Sequence, residues 1–215
     1  MTDKLLDLIK EKYKLCKLDV GEFSALKASG MKFSVEAYRA EGLGHVSVMR
    51  AKGFFGLMKM DTLMIVPTDV DLPLYSYDRI YAMGNDTLIV ELYDTFIESV
   101  DMSALEAVKS NFASLPERDP GEHWYDSIKL PESISKKGKK AQTTVLDALA
   151  EEHFVAYMET TVPTVTDKAK KKALSSRYVD GLLSQGGPST DVFKRELGEE
   201  KTAALFCKVL FGTDL

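Results

Sequence analysis

Between residues 32 and 95 the apolar positions alternate with polar ones, and beyond Thr95 they recur every three or four residues. Phe33, Val35 and Ala37 share one face of an extended run, as do Val46 and Val48 of the next. Gly42 and Gly44 lie between these runs and suit a hairpin turn, because glycine tolerates positive φ. A third run, 55–66, follows Gly53 and stops at Pro67, which has no N–H to give to a ladder. Runs 78–83 and 86–95 flank Gly84-Asn85, a pair of residue types suited to a tight turn. Five consecutive strands are expected over 32–95, and short links between them imply antiparallel pairing.

The helical pattern brackets this block. Thr2 and Asp3 cap a predicted helix over 3–17, marked by Leu5, Ile9, Tyr13 and Cys16. Met102, Leu105, Val108 and Phe112 mark a second, ended by Leu115-Pro116 and a polar loop that contains His123-Trp124-Tyr125. Val145, Leu146, Leu149, His153 and Tyr157 mark a longer helix, and 167–183 another. Ser189 or Thr190 caps a short helix to Leu197, and Gly198 separates it from a final helix running from 199 to about 211. Strands followed by helices, with no alternation, predict an α/β chain in which the later helices cover the faces of an antiparallel sheet.

A chain of 215 residues, 45% apolar, is sized for one core, so 1–215 is expected to be a single domain. The net charge of -5 and pI near 5.4 argue against a dedicated nucleic-acid binder. Cys16 and Cys207 are far apart and form no CxxC, which points to neither a disulfide framework nor a zinc cluster and suits a reducing, cytoplasmic setting. The first residues interleave charged and apolar positions, so neither a signal peptide nor a membrane anchor is expected. Phosphate-loop, dinucleotide, nucleophile-elbow and zinc-helix signatures are missing, and no metal site is expected.

Four features carry candidate chemistry. Asp94 ends the last strand run on the face of Leu88, Val90 and Leu92, where partial desolvation raises a carboxyl toward the range of a proton donor; the plainer alternative is that it opens the turn into the next helix. Arg50 shares the face of Val46 and Val48, and pointed inward its guanidinium needs an anion such as a ligand carboxylate. His123, Trp124 and Tyr125 either stack on a planar ligand or pin their loop as an aromatic cluster. Two basic runs, Lys136, Lys137, Lys139 and Lys140, then Lys168, Lys170, Lys171 and Lys172, are solvated faces or, together, a positive patch that steers an acidic partner.

Several short motifs resemble the ferredoxin-dependent bilin reductases. Asp71-Leu72-Pro73 is followed five residues on by Asp78, then by a glycine turn and a strand ending in aspartate. Near the C-terminus, Tyr178, a polar link and the stretch VFKRELGEEKTAALFCKVLF are similar to that family's closing helices. The resemblance implies a three-layer α/β/α sandwich with a central antiparallel sheet flanked by helices, and a linear tetrapyrrole held between sheet and C-terminal helices. It implies no bound metal or flavin: electrons come singly from ferredoxin or flavodoxin, and an acid supplies protons. By this likeness Asp94 is the donor, Arg50 and Thr62 touch the substrate, and Lys136, Lys137, Lys139, Lys140, Lys170 and Lys171 dock the acidic electron carrier. The chain departs from the pattern where Arg50 and Thr62 occupy the places of a glutamate and a histidine, since threonine cannot carry a proton as imidazole does. It departs again where Gly186-Gly187-Pro188 replaces polar and basic residues. These departures leave two alternatives open: a non-catalytic tetrapyrrole carrier or sensor, and an interaction domain whose pocket is filled.

Overall fold

In chain order the strands are β1 (Leu15–Leu18), β2 (Ala25–Ala28), β3 (Met31–Ala40), β4 (Gly44–Gly53), β5 (Met58–Pro67), β6 (Leu74–Ala82), β7 (Asn85–Tyr93) and β8 (Ile134–Lys139), in a computed structural model that describes residues 1–214. All pair antiparallel in one sheet. From β3 to β8 spatial order follows chain order, while β1 and β2 share the outer edge of β3, pairing with 37–40 and 31–34 respectively. The five expected strands are β3 to β7. Gly44 closes the β3–β4 turn at a φ of 153°, and a Cβ there would lie 2.2 Å from the carbonyl oxygen of Val66, so only glycine fits. The β6–β7 turn is built on Met83-Gly84, one residue earlier than expected, with φ of 51° and 74°. Positive φ at both central residues matches the right-handed twist of the flanking strands.

Helices cover both faces. Leu63, Ile65, Val48, Val46, Leu88, Val90 and Leu92 point to one side, against α1 (Thr2–Lys12), α2 (Ser103–Asn111) and α3 (Thr143–Glu159), where Phe154 and Tyr157 are fully buried. Phe33, Val35, Ala37, Met49, Ala51 and Tyr93 point to the other, against α4 (Lys168–Gln185), α5 (Pro188–Leu197) and α6 (Glu199–Ala204), which runs into a π-helical turn, Leu205–Leu210. The period of two in the strands therefore splits the apolar residues into two cores, giving the expected three-layer α/β/α sandwich.

Three sequence expectations are corrected. The first helix stops at Lys12; Cys16 lies in β1 opposite Arg39, because pairing with β3 satisfies the backbone of a segment too short to make another helical turn worthwhile. The lysine run 136–140 is largely strand β8, and its alternation turns Ile134, Lys136 and Gly138 inward. Lys136 buries its stem and donates from Nζ to Leu115 O at 3.2 Å while pairing with Glu117 at 2.5 Å. In the second run, Lys171 is fully buried on α4 and pairs with Asp71 at 2.9 Å, also donating to the carbonyls of Leu72 and Thr95. Lys137, Lys139, Lys140 and Lys170 are exposed. The two runs form no common patch. Lys139 pairs with Asn85 at one end of the sheet, whereas Lys168 holds Asp69 beyond the other end of β5, about 30 Å along a strand of that length.

Candidate functional site

The sheet face beneath α4 to α6 floors a cleft of about 210 Å³. Its central cross-strand row is Met49, Thr62, Asp78 and Ile89, one residue from each of β4, β5, β6 and β7. Beside that row stand Met60 and Ile80, and on its other flank Met64, Ser76 and Glu91. The roof comes from Tyr178 and Leu182 of α4, Thr190 and Phe193 of α5, and Phe206, Leu210 and Phe211 beyond α6. Arg118, Pro120, His123 and Tyr125 form a side wall.

Local hydrogen bonds hold the roof. The π-helical turn leaves the carbonyls of Val209 and Leu210 unclaimed by its own helix, and β4 claims them: His45 Nε2 donates to Val209 O at 2.8 Å and Ser47 Oγ to Leu210 O at 2.7 Å. Trp124 Nε1 donates to Gly186 O at 3.0 Å, tying the 3-10 turn Trp124–Ile128 to the end of α4. Tyr125 meets Tyr93 edge-on at 5.6 Å, and Tyr93 stacks on Tyr178 at 4.0 Å between centroids. The aromatic cluster thus pins its loop, and His123 and Tyr125 also border the cleft.

Asp78 is the chemically distinctive group. It is half-buried among methionine, isoleucine and aromatic side chains, and its one side-chain hydrogen bond among the described residues comes from the Thr62 hydroxyl directly across the β5–β6 pair. Burial pushes its carboxyl up to about 6; the Thr62 bond opposes this and the nearby charge of Glu91 adds to it. Glu91 itself accepts from Tyr93 Oη at 2.6 Å and has Lys129 Nζ at 3.9 Å. Burial holds the phenols of Tyr93, Tyr125 and Tyr178 above their ordinary range, so they stay neutral donors. The floor therefore presents one acid titrating near neutrality, ringed by apolar and aromatic surface, with a second carboxylate close by.

The sequence candidates fall out unevenly. Thr62 lies in the cleft. Asp94 does not: β7 ends at Tyr93, and Asp94 is exposed beyond it, its N–H donating to Ile128 O at 2.7 Å and its Oδ1 accepting from Phe96 N at 3.4 Å. Its carboxyl therefore opens the turn that follows the strand. Arg50 is on the α1–α3 face, opposite the cleft, and finds its anions within the chain, Asp3 on α1 and Glu36 at 3.2 Å. Glu91, Tyr93 and Arg118 line the cleft with no role expected of them, and Asp78, part of the motif that carries the resemblance, had no site role either. The signal for Asp78 was the alternation Ser76, Asp78, Ile80 against Tyr75, Tyr77, Arg79, hidden because the strand was expected to start at 78 rather than at Leu74.

No family model and no curated protein sequence matches the chain. Among solved structures, the three-layer fold is similar to that of phytochromobilin synthase from tomato, solved in complex with biliverdin: TM-score 0.76, 16% identity, covering 99% of this chain and 83% of that one. Among the described residues no group of three or more His, Cys, Asp or Glu is placed to hold a metal ion, and no helix is long and apolar enough to cross a membrane.

Proposed function

We propose that the cleft binds a linear tetrapyrrole and that the chain reduces it, with Asp78 giving a proton to the pigment as electrons arrive singly from an acidic ferredoxin-type carrier. The observation that carries this reading is the carboxyl of Asp78 at the centre of the cleft floor, between methionine and isoleucine side chains and bonded to Thr62, poised at about 6. A carboxylic acid with that value is partly protonated at neutral pH and can hand over its proton to a conjugated radical anion, then recover it from solvent. The tomato protein, of the same fold, was solved with biliverdin, which supports a flat open-chain ligand. Met49 and Ile80 supply apolar contact for pyrrole rings, and Arg118 at the wall is the cation for a propionate. Exposed Lys137, Lys139 and Lys140 offer the carrier a docking strip at the β8 edge. A volume of about 210 Å³ is below the roughly 300–1,000 Å³ of drug-sized ligand sites, so a four-ring pigment enters only with lining side chains turned aside.

A second reading, a tetrapyrrole carrier, is favoured by one feature: Met49 and Thr62, the row neighbours of Asp78 on β4 and β5, include no imidazole to pass a proton on. Biliverdin titration followed by visible absorption, then anaerobic addition of reduced ferredoxin, separates the readings. Reduction requires a spectral shift on binding, a new product on addition of ferredoxin, and loss of that product with retained binding in Asp78→Asn but not in Asp94→Asn. A shift without product assigns the chain to carriage, and no shift at all removes the tetrapyrrole.

A further inference from the structure

At the end of the sheet where β4 turns into β5 and β6 into β7, the chain displays large apolar side chains. Phe54, Phe55 and Leu57 on the first tip are 56%, 108% and 72% exposed, and Met83 on the second is 92% exposed. The tips adjoin, because Met58 pairs with Ala82. Phe54, Phe55 and Met83 have φ of 50°, 55° and 51°, a left-handed conformation that bulky side chains rarely adopt.

A row of cations lies just behind. Lys27 stands opposite Lys32, Lys32 opposite Lys52, and Lys52 opposite Lys59, across β2, β3, β4 and β5. All four are exposed, and among the described residues none is paired with a carboxylate. Like charges directly opposite one another on a sheet repel, so the row is a cost to the isolated chain. With strands about 4.8 Å apart it extends about 14 Å in a line. It occupies the face of Arg50 and Glu36, opposite the face of Lys137 and Lys139, and so is distinct from the β8 strip.

We propose that this end of the sheet is a peripheral docking edge for an anionic membrane, with the Phe54-Phe55 and Met83 tips entering the acyl boundary and the lysine row meeting the headgroups. An acidic protein partner fits less well. The apolar groups are separate projections on two tips, and a lipid boundary closes around any projecting shape. Apolar residues outermost with lysines set back is the depth order of an interfacial anchor, whose apolar part reaches about 5–10 Å into the headgroup and acyl boundary. The net charge of -5 gives no attraction of the whole molecule, so the row must act at short range, within about 10 Å at 0.1 M salt. This inference rests on the tips and the lysines and is independent of what the cleft binds.

The test is co-sedimentation of the full chain with vesicles of phosphatidylcholine alone and of phosphatidylcholine mixed with phosphatidylglycerol, with Leu57→Trp as a fluorescent reporter at the tip. Expected are binding to the anionic vesicles only, a blue shift of the reporter's emission on binding, and release by high salt. Removing Lys52 or Lys59 weakens partition about fivefold each, and Phe55→Ser about tenfold or more. All these positions are exposed, so the variants fold: circular dichroism melts of the phenylalanine variants match the native chain, and those of the lysine variants match or slightly exceed it as the repulsion is relieved. Failure of the native chain to bind anionic vesicles, or undiminished binding by the combined Phe54→Ser and Phe55→Ser variant, overturns the proposal. So does capture of a purified acidic protein through these same residues when vesicles are not bound.

Discussion

Thr62 and Asp78 are cross-strand partners, and the threonine hydroxyl donates to the aspartate carboxyl in the middle of the cleft floor. One hydrogen bond is too little to offset the loss of water around a carboxylate, which is why burial dominates and the group rises to about 6. The arrangement favours an acid that is ready to change charge over one that is permanently ionised.

That choice has a stability cost with a definite sign. Asp78 binds its proton more tightly in the folded state than in the unfolded chain, so its contribution is favourable at low pH and is lost as pH rises through about 6. Asp78→Asn removes the penalty: at pH 8 the variant is more stable than the native chain by about 3 kcal/mol at most, the free energy of holding a carboxyl up at about 6. Below pH 4 the difference disappears. Urea unfolding at the two pH values measures this, and an equal gain at both would mean that packing, not charge, is responsible.

His45 and His153 pull the other way. Burial depresses each to about 4, and each is neutral while its Nε2 donates to a backbone carbonyl, Val209 O and Glu132 O respectively. Their stabilisation is complete above about 6.5 and is lost as pH falls toward 4, by roughly 2–3 kcal/mol each. The native chain therefore loses stability on mild acidification despite Asp78, because two depressed groups outweigh one raised group. His153→Gln should flatten the pH dependence of the unfolding midpoint between 6.5 and 4, and an unaltered slope would falsify the assignment.

Lys170 and Lys171 differ by one position and by almost everything else. Lys171→Met leaves Asp71 buried with only the N–H groups of Ile97 and Glu98 for company, which costs about 3–5 kcal/mol. Lys170→Met, at an exposed site, changes stability by less than about 0.5 kcal/mol. Thermal melts of the two variants side by side decide whether the run is one surface or, as the geometry has it, one anchor beside a solvated neighbour.

Gly181 on α4 lies under the Trp124 ring, where a Cβ would sit 2.1 Å from the nearest ring carbon. Gly181→Ala should displace the indole, weaken its bond to Gly186 O and destabilise the chain by about 1–3 kcal/mol despite alanine's better helix propensity. Trp124 is the single tryptophan, so its fluorescence reports the displacement directly.

The alternation of Phe33, Val35 and Ala37, of Val46 and Val48, and of Leu88, Val90 and Leu92 was enough to define β3, β4 and β7 and to require helices on both faces, because period-two burial is a local property of the chain. The helices from Met102 onward were legible for the same reason, at period 3.6. The site was less so. Asp94 and Asp78 are both acids in strand-like runs, and nothing local distinguishes them; the position of the last paired residue, Tyr93, puts one outside and the register with Thr62 puts the other within. Lys136 and Lys171 read as solvated charges because their partners, Glu117 and Asp71, are 19 and 100 residues away. The lysine row of β2 to β5 is likewise invisible until register aligns it. Sequence by itself determined which segments extend, which coil and which faces must be covered. Tertiary structure decided which charge is buried beside which, since desolvation and pairing depend on neighbours that the chain brings together only when it closes.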